Sequence, residues 1–149
     1  MKYRLLNLKI MGDERGSLIA FEEAQNVPFD IKRMYCIFDT TTDALRGKHA
    51  HRDLKQVLFC PKGHCDILLD DGFRKIEFNL DNPTKGLYIE GTLWRELYNF
   101  SSDCVLMVLA NDYYNEKDYI RDYDEFLKVV SGVNIGIYKN ERQETYNSR

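Results

Sequence analysis

Apolar and polar positions alternate along most of this chain in short runs that recur about every ten residues. The runs are rich in β-branched and aromatic residues: Tyr3–Ile10, Ser17–Phe21, Ile31–Phe38, Gln56–Cys60, Cys65–Leu69, Lys75–Leu80, Leu87–Glu90, Trp94–Phe100 and Cys104–Ala110. Between them lie turn formers: Gly12-Asp13, Asn26-Val27-Pro28, Pro61-Lys62-Gly63, Asp70-Asp71-Gly72, Asp81-Asn82-Pro83 and Ser101-Ser102-Asp103. Evenly spaced strands with such punctuation predict a sandwich, jelly roll or barrel. Asp70-Asp71-Gly72 predicts a tight hairpin, because glycine tolerates the positive φ of such turns. After Asn111 the period changes. Within Glu116–Val130, residues Tyr119, Ile120, Tyr123, Phe126, Leu127 and Val130 recur at spacings of three and four, which predicts an amphipathic helix over 116–130. The last stretch, Ser131–Arg149, is polar, so residues 1–130 are expected to form one domain and 131–149 a partly mobile tail.

Composition narrows the class of function. With 149 residues, 44% hydrophobic and 30% charged, the chain fits one soluble domain with its own core. A net charge of −3 argues against a nucleic-acid surface, although a local basic pocket remains open. Cys36, Cys60, Cys65 and Cys104 lack CxxC spacing, so a zinc knuckle is not expected. Cys36, Cys60 and Cys104 sit in apolar runs, as buried free thiols do. The start, MKYRLLNLKI, does not read as a signal peptide and no run is apolar enough to cross a membrane, so a cytoplasmic location is expected.

Chemistry concentrates in RGKHAHRDLKQVLFCPKG, Arg46 to Gly63. On a strand, His49 and His51 face the same side, about 7 Å apart. Their spacing to Gln56 and Gly63 resembles the first cupin motif, HxH-(four)-E-(six)-G, with Gln for the metal-binding Glu. The second motif aligns with Gly86, Thr92, Trp94 and Leu97, so its histidine position is a leucine. Two imidazoles and a carboxamide are a poor donor set for a divalent metal, and none is expected. The plain alternative is a pair of strand histidines satisfied by hydrogen bonds. Two features weigh against it: Arg46 and Lys48 flank the pair, and Arg33, Tyr35 and Ile37 share one face of a neighbouring run. A tyrosine, two imidazoles and several arginines facing into a barrel would make a general acid–base site.

The segments DERGSL, RGKHAH, LKQVLFCPKG and GLYIEGTLWRELYNFSSDCVLMVLANDYYNEKDYIRDYDEF together resemble the dTDP-4-keto-6-deoxyhexose 3,4-ketoisomerases, the WxcM-like or FdtA/QdtA-type sugar-nucleotide cupins. The likeness spans roughly residues 3 to 130. It implies an all-β cupin jelly roll with a C-terminal helix, a homodimer with exchanged N-terminal strands, and no cofactor. The implied substrate is dTDP-4-keto-6-deoxyglucose, and the product a dTDP-3-keto-6-deoxyhexose for a PLP-dependent aminotransferase, on the way to 3-acetamido sugars of surface glycans. The resemblance assigns His49 and His51 as the essential pair and Tyr35 as the active-site tyrosine, with His49 expected at C3 and His51 with Tyr35 at the oxygens. Arg33, Arg46 and Lys48 are the candidates for the diphosphate and Trp94 for the sugar pocket. Gln56 is expected to bond a histidine or the substrate. Arg15 matches the pattern of members that form the galacto product and Arg95 that of gluco-forming members, with a slight lean to galacto. A 3,5-epimerase of the same nucleotide sugar, a non-catalytic sugar-binding cupin and a metal-dependent oxygenase are the competing readings.

Overall fold

The computed structural model describes residues 2–132, and the statements below concern those residues. The tail expected over 131–149 therefore lies almost wholly outside the description. The strands are β1 (Tyr3–Asn7), β2 (Met11–Asp13), β3 (Gly16–Leu18), β4 (Arg33–Ile37), β5 (Arg46–His51) and β6 (Lys55–Lys62). They continue with β7 (Cys65–Asp70), β8 (Lys75–Leu80), β9 (Lys85–Glu90), β10 (Trp94–Tyr98), β11 (Val105–Ala110) and β12 (Tyr119–Ile120). One five-stranded sheet runs β1-β9-β6-β11-β4 and the other β12-β5-β10-β7-β8, while β2 and β3 form a separate hairpin. From β9 to β11 successive strands alternate between the sheets, and the neighbours within each sheet are antiparallel, which is the jelly-roll arrangement.

The continuous apolar run of β6 has a physical reason. Leu58 and Cys60 point into the core between the sheets, with Ile67, Leu87, Leu106 and Val108. Val57 and Phe59 point the other way and are covered by Phe21, Val27, Phe29 and Ile31 from the segment before β4. A strand covered on both faces needs apolar residues on both. The predicted turn after Asp70 is present: Gly72 takes φ +89° and the Asp70 carboxylate accepts its N–H at 2.7 Å.

Two expectations need correction. Residues 116–118 form a single 3-10 turn and Tyr119–Ile120 a strand against β5, so the helix is described only over 123–132. Pairing with the edge of β5 outweighs local helical periodicity there, and Asp122 then caps the helix by accepting the Glu125 N–H at 2.8 Å. Cys36, expected to be buried, is exposed, because β4 is an edge strand whose outer face carries Met34 and Cys36. Cys60, Cys65 and Cys104 are buried together, with Cys60 Sγ 3.7 Å and 3.9 Å from the other two.

Candidate active site

A cavity of about 440 Å³ opens between the sheets and is bounded by β4, β5, β6, β10 and the segment 114–121. The strand period decides what faces it. On β4, Arg33, Tyr35 and Ile37 point in, as the alternation predicts, and Met34 and Cys36 point out. On β10, Arg95 and Leu97 point in.

The path of β5 is less regular. Arg95 pairs with His49 but Glu96 pairs with Gly47, so Lys48 is an extra, bulged residue. Gly47 (φ +79°) and Lys48 (φ +52°) are both left-handed. A Cβ on Gly47 would lie 2.8 Å from the Arg95 carbonyl oxygen, so the close approach requires glycine. The kink lets His49 Nδ1 reach the Gly47 carbonyl at 2.9 Å. A carbonyl only accepts, so the ring proton is on Nδ1 and Nε2 carries the lone pair.

His51 is 2% exposed and is not among the residues lining the cavity. It packs edge-on against His49, ring centroids 4.9 Å apart, and its Nδ1 lies 2.8 Å from Asp118 Oδ2. Tyr119 covers both imidazoles, with centroids 4.9 Å from His49 and 4.3 Å from His51.

Opposite the histidines runs a chain of hydrogen bonds. Arg95, 2% exposed, donates through Nη1 to Gln56 Oε1 at 2.5 Å and through Nη2 to the Leu93 carbonyl at 2.9 Å. Gln56 Nε2 in turn donates to Tyr35 Oη at 3.0 Å. Arg95 Nε and Arg33 Nε are buried without a partner. The Tyr35 oxygen thus accepts from behind, and its own proton is free to donate into the cavity.

These neighbours set the charges. Burial, followed by the Arg95 guanidinium, lowers His49 from the ordinary 6.5 to about 4. The same two causes lower His51. Both rings are neutral at physiological pH. Burial raises the Tyr35 hydroxyl, which stays protonated. Burial lowers Arg95 to about 10, still well above neutrality, so it remains a cation. Arg33, Arg46, Arg95 and Arg121 line the cavity and no carboxylate does, which suits an anionic ligand. The same residues do not fit a divalent metal. A guanidinium bonded to Gln56 occupies the neighbourhood where a cupin cation would sit, and like charges repel.

The model of the family described as FdtA, WxcM-like, C-terminal matches residues 1–131. The "TDP-4-oxo-6-deoxy-alpha-D-glucose-3,4-oxoisomerase" of Aneurinibacillus thermoaerophilus is 52% identical over 135 residues, 91% of this chain and 97% of that protein. The chain belongs to this family. A 3,4-ketoisomerase from Helicobacter canadensis has the same fold, with a TM-score of 0.86 at 50% identity over 88% of this chain and 98% of that one. A histidine-to-asparagine variant of a 3,4-ketoisomerase from Thermoanaerobacterium thermosaccharolyticum was solved in complex with TDP-4-keto-6-deoxyglucose. It matches at a TM-score of 0.86 and 39% identity, covering 88% of this chain and 95% of its own. This chain is accordingly an isomerase of the sugar 3,4-ketoisomerase type.

In the isomerase, Tyr35, His49, Gln56, Arg33, Arg46 and Arg95 come together in one cavity. Besides His51, three of the residues singled out in the sequence do not line it. Trp94 is 3% exposed and packs on Tyr123 and Phe126, because it lies on the face of β10 opposite to Arg95 and Leu97. Lys48 is the bulged residue and is exposed. Arg15 sits on the β2–β3 turn, 85% exposed and paired with Asp13. Gln56 bonds Tyr35 and Arg95 rather than a histidine. The cavity also brings in residues not expected from the sequence: Tyr114, Tyr119 and Arg121 line it and Asp118 holds His51. A helix over 116–130 would not bring them there; the Asp122-x-x-Glu125 pattern in the sequence marks the later helix start.

Proposed function

We propose that the isomerase converts a TDP-linked 4-keto-6-deoxyglucose into the corresponding 3-keto-6-deoxyhexose without a metal or redox cofactor. The observation that carries this is a cavity presenting a neutral imidazole and a protonated tyrosine among four arginines. The named activities of the relatives point to the same substrate class. The C4 ketone acidifies the C3 hydrogen, and His49 Nε2 removes it as a proton to give an enediolate. A proton returns to C4, the O3 proton departs and O4 gains one, so the ketone now stands at C3 and no electrons are exchanged with an outside partner. Tyr35 donates to the oxygen that gains charge, with Arg95 and Gln56 polarising it from behind. His51 carries protons between the two oxygens. Arg33 and Arg46 hold the diphosphate; Lys48, exposed at the bulge, is the weaker candidate.

At C4 the two specificity positions pull apart, Arg15 towards the galacto product and Arg95 towards the gluco product; we hold to the galacto product. A 3-keto sugar is a substrate for a PLP-dependent aminotransferase, so the reaction belongs upstream of 3-amino and 3-acetamido-3,6-dideoxyhexoses for surface glycans, in the cytoplasm. NMR of the product tests the reading. The carbonyl should move from C4 to C3, with ring-proton couplings of a galacto sugar; a ketone that stays at C4 while C5 inverts would establish a 3,5-epimerase instead.

A further inference from the structure

His51 is held by a single side chain from a distant part of the sequence. Where β5 ends, the amides of Arg52 and Asp53 leave the sheet, and each donates to Asp118 Oδ1 at 3.1 Å. The other oxygen, Oδ2, meets His51 Nδ1 at 2.8 Å. The neighbouring backbone fixes the arrangement: the Asp118 carbonyl accepts from the Arg52 amide at 3.0 Å, and Tyr119 and Ile120 pair with His51 and Ala50. Asn115 closes the 3-10 turn by accepting the Lys117 N–H at 3.1 Å. One carboxylate therefore caps the end of a strand and grips a histidine, with 18% of its side chain exposed.

A carboxylate accepts on both oxygens, so the proton in the short contact belongs to the ring. We infer that Asp118 is a positioning residue of the reaction, which locks His51 as its Nδ1–H tautomer and leaves Nε2 as the lone pair that takes the substrate's hydroxyl proton. The role given to Nε2 rests on the ketoisomerase reading; the lock itself does not. His49 is held in the same tautomer by the Gly47 carbonyl, so both imidazoles present Nε2 as an acceptor, one backed by a neutral group and one by a charge. Only the second can be exchanged without touching the backbone.

The Asp118→Asn variant separates this role from capping. A carboxamide oxygen can still accept the Arg52 and Asp53 amides, which leaves the NH₂ facing His51. That group only donates, so the imidazole must turn over to the Nε2–H form with its lone pair on Nδ1. Imidazole ¹⁵N NMR of the wild type, with His51→Asn to assign the signals, should show His51 protonated at Nδ1, and Asp118→Asn should move that proton to Nε2. In the same variant kcat should fall on the order of 10²–10⁴-fold, with KM within about threefold and the melting temperature nearly unchanged. An Nε2–H His51 in the wild type, an unmoved tautomer in the variant, or a kcat within threefold of wild type would each overturn the inference. If the wild type fails to turn over the 4-keto sugar at all, the functional reading is lost, while the ¹⁵N spectra still decide whether Asp118 sets the tautomer.

Discussion

His49 takes its behaviour from three contacts: a backbone carbonyl at Nδ1, the Arg95 cation paired across from it, and the burial of its ring. In the unfolded chain an imidazole gains a proton at about 6.5, but in the fold this one does so only at about 4. Between those values the unfolded state binds more protons, so acidification favours unfolding. The contribution to stability is complete above about 6.5 and is lost as the pH falls towards 4. Thermal unfolding followed from pH 7 to pH 4 should show a falling midpoint, with a shallower slope in His49→Asn. Activity follows the same group. The base is already neutral at pH 6, so kcat/KM should be level from about 6 to 8 and drop only nearer 4; an acid limb centred on 6.5 would mean that the ring is not perturbed as the structure has it.

At the scale of elements, the apolar pattern and the turn chemistry were enough to read an all-β succession of short strands, the hairpin at Asp70–Gly72 and the shared face of Arg33, Tyr35 and Ile37. These are local properties of one strand or one turn. What could not be read depends on partners remote in sequence. Tyr119 and Ile120 fit a helical stripe, yet they pair with β5, and only that pairing brings Asp118, Tyr119 and Arg121 to the histidines. Trp94 differs for another reason: alternation along β10 sets it on the face opposite Arg95, where it packs on Phe126, so its place in the second motif does not bring it to the cavity. The corrected start of the helix makes Asp122 its N-cap. Asp122→Ala should cost about 1 kcal/mol of stability, read as a lower denaturation midpoint with little change in kcat, whereas a cap placed near residue 116 would leave Asp122→Ala silent.

At the scale of the molecule, the β2–β3 hairpin pairs with neither sheet of its own chain. Ile10, Met11 and Leu18 on and beside it are exposed, and so are Met34 and Phe38 along the β4 edge. Exposed apolar residues on a detached hairpin fit exchange with a second copy, and we propose the homodimer that the family resemblance implies. Sedimentation at micromolar concentration should give a dimer, and Leu18→Asp should shift it towards monomer; a wild-type monomer would contradict the exchange. Arg15 sits on the turn of this hairpin and does not line the cavity of its own chain; we propose that it reaches the site only in the assembled dimer.

Transfer of a proton from C3 and delivery of another to C4 is the central step of the proposed reaction. The direct measurement is NMR of TDP-4-keto-6-deoxyglucose incubated with the enzyme in deuterated water, for the wild type and for His49→Asn. The account predicts that the wild type loses the C3 hydrogen, gains deuterium at C4 and leaves C5 unlabelled, and that His49→Asn slows this at least 10³-fold while TDP affinity stays within about threefold. Deuterium at C5, or a His49→Asn variant that retains most of the turnover, would contradict it.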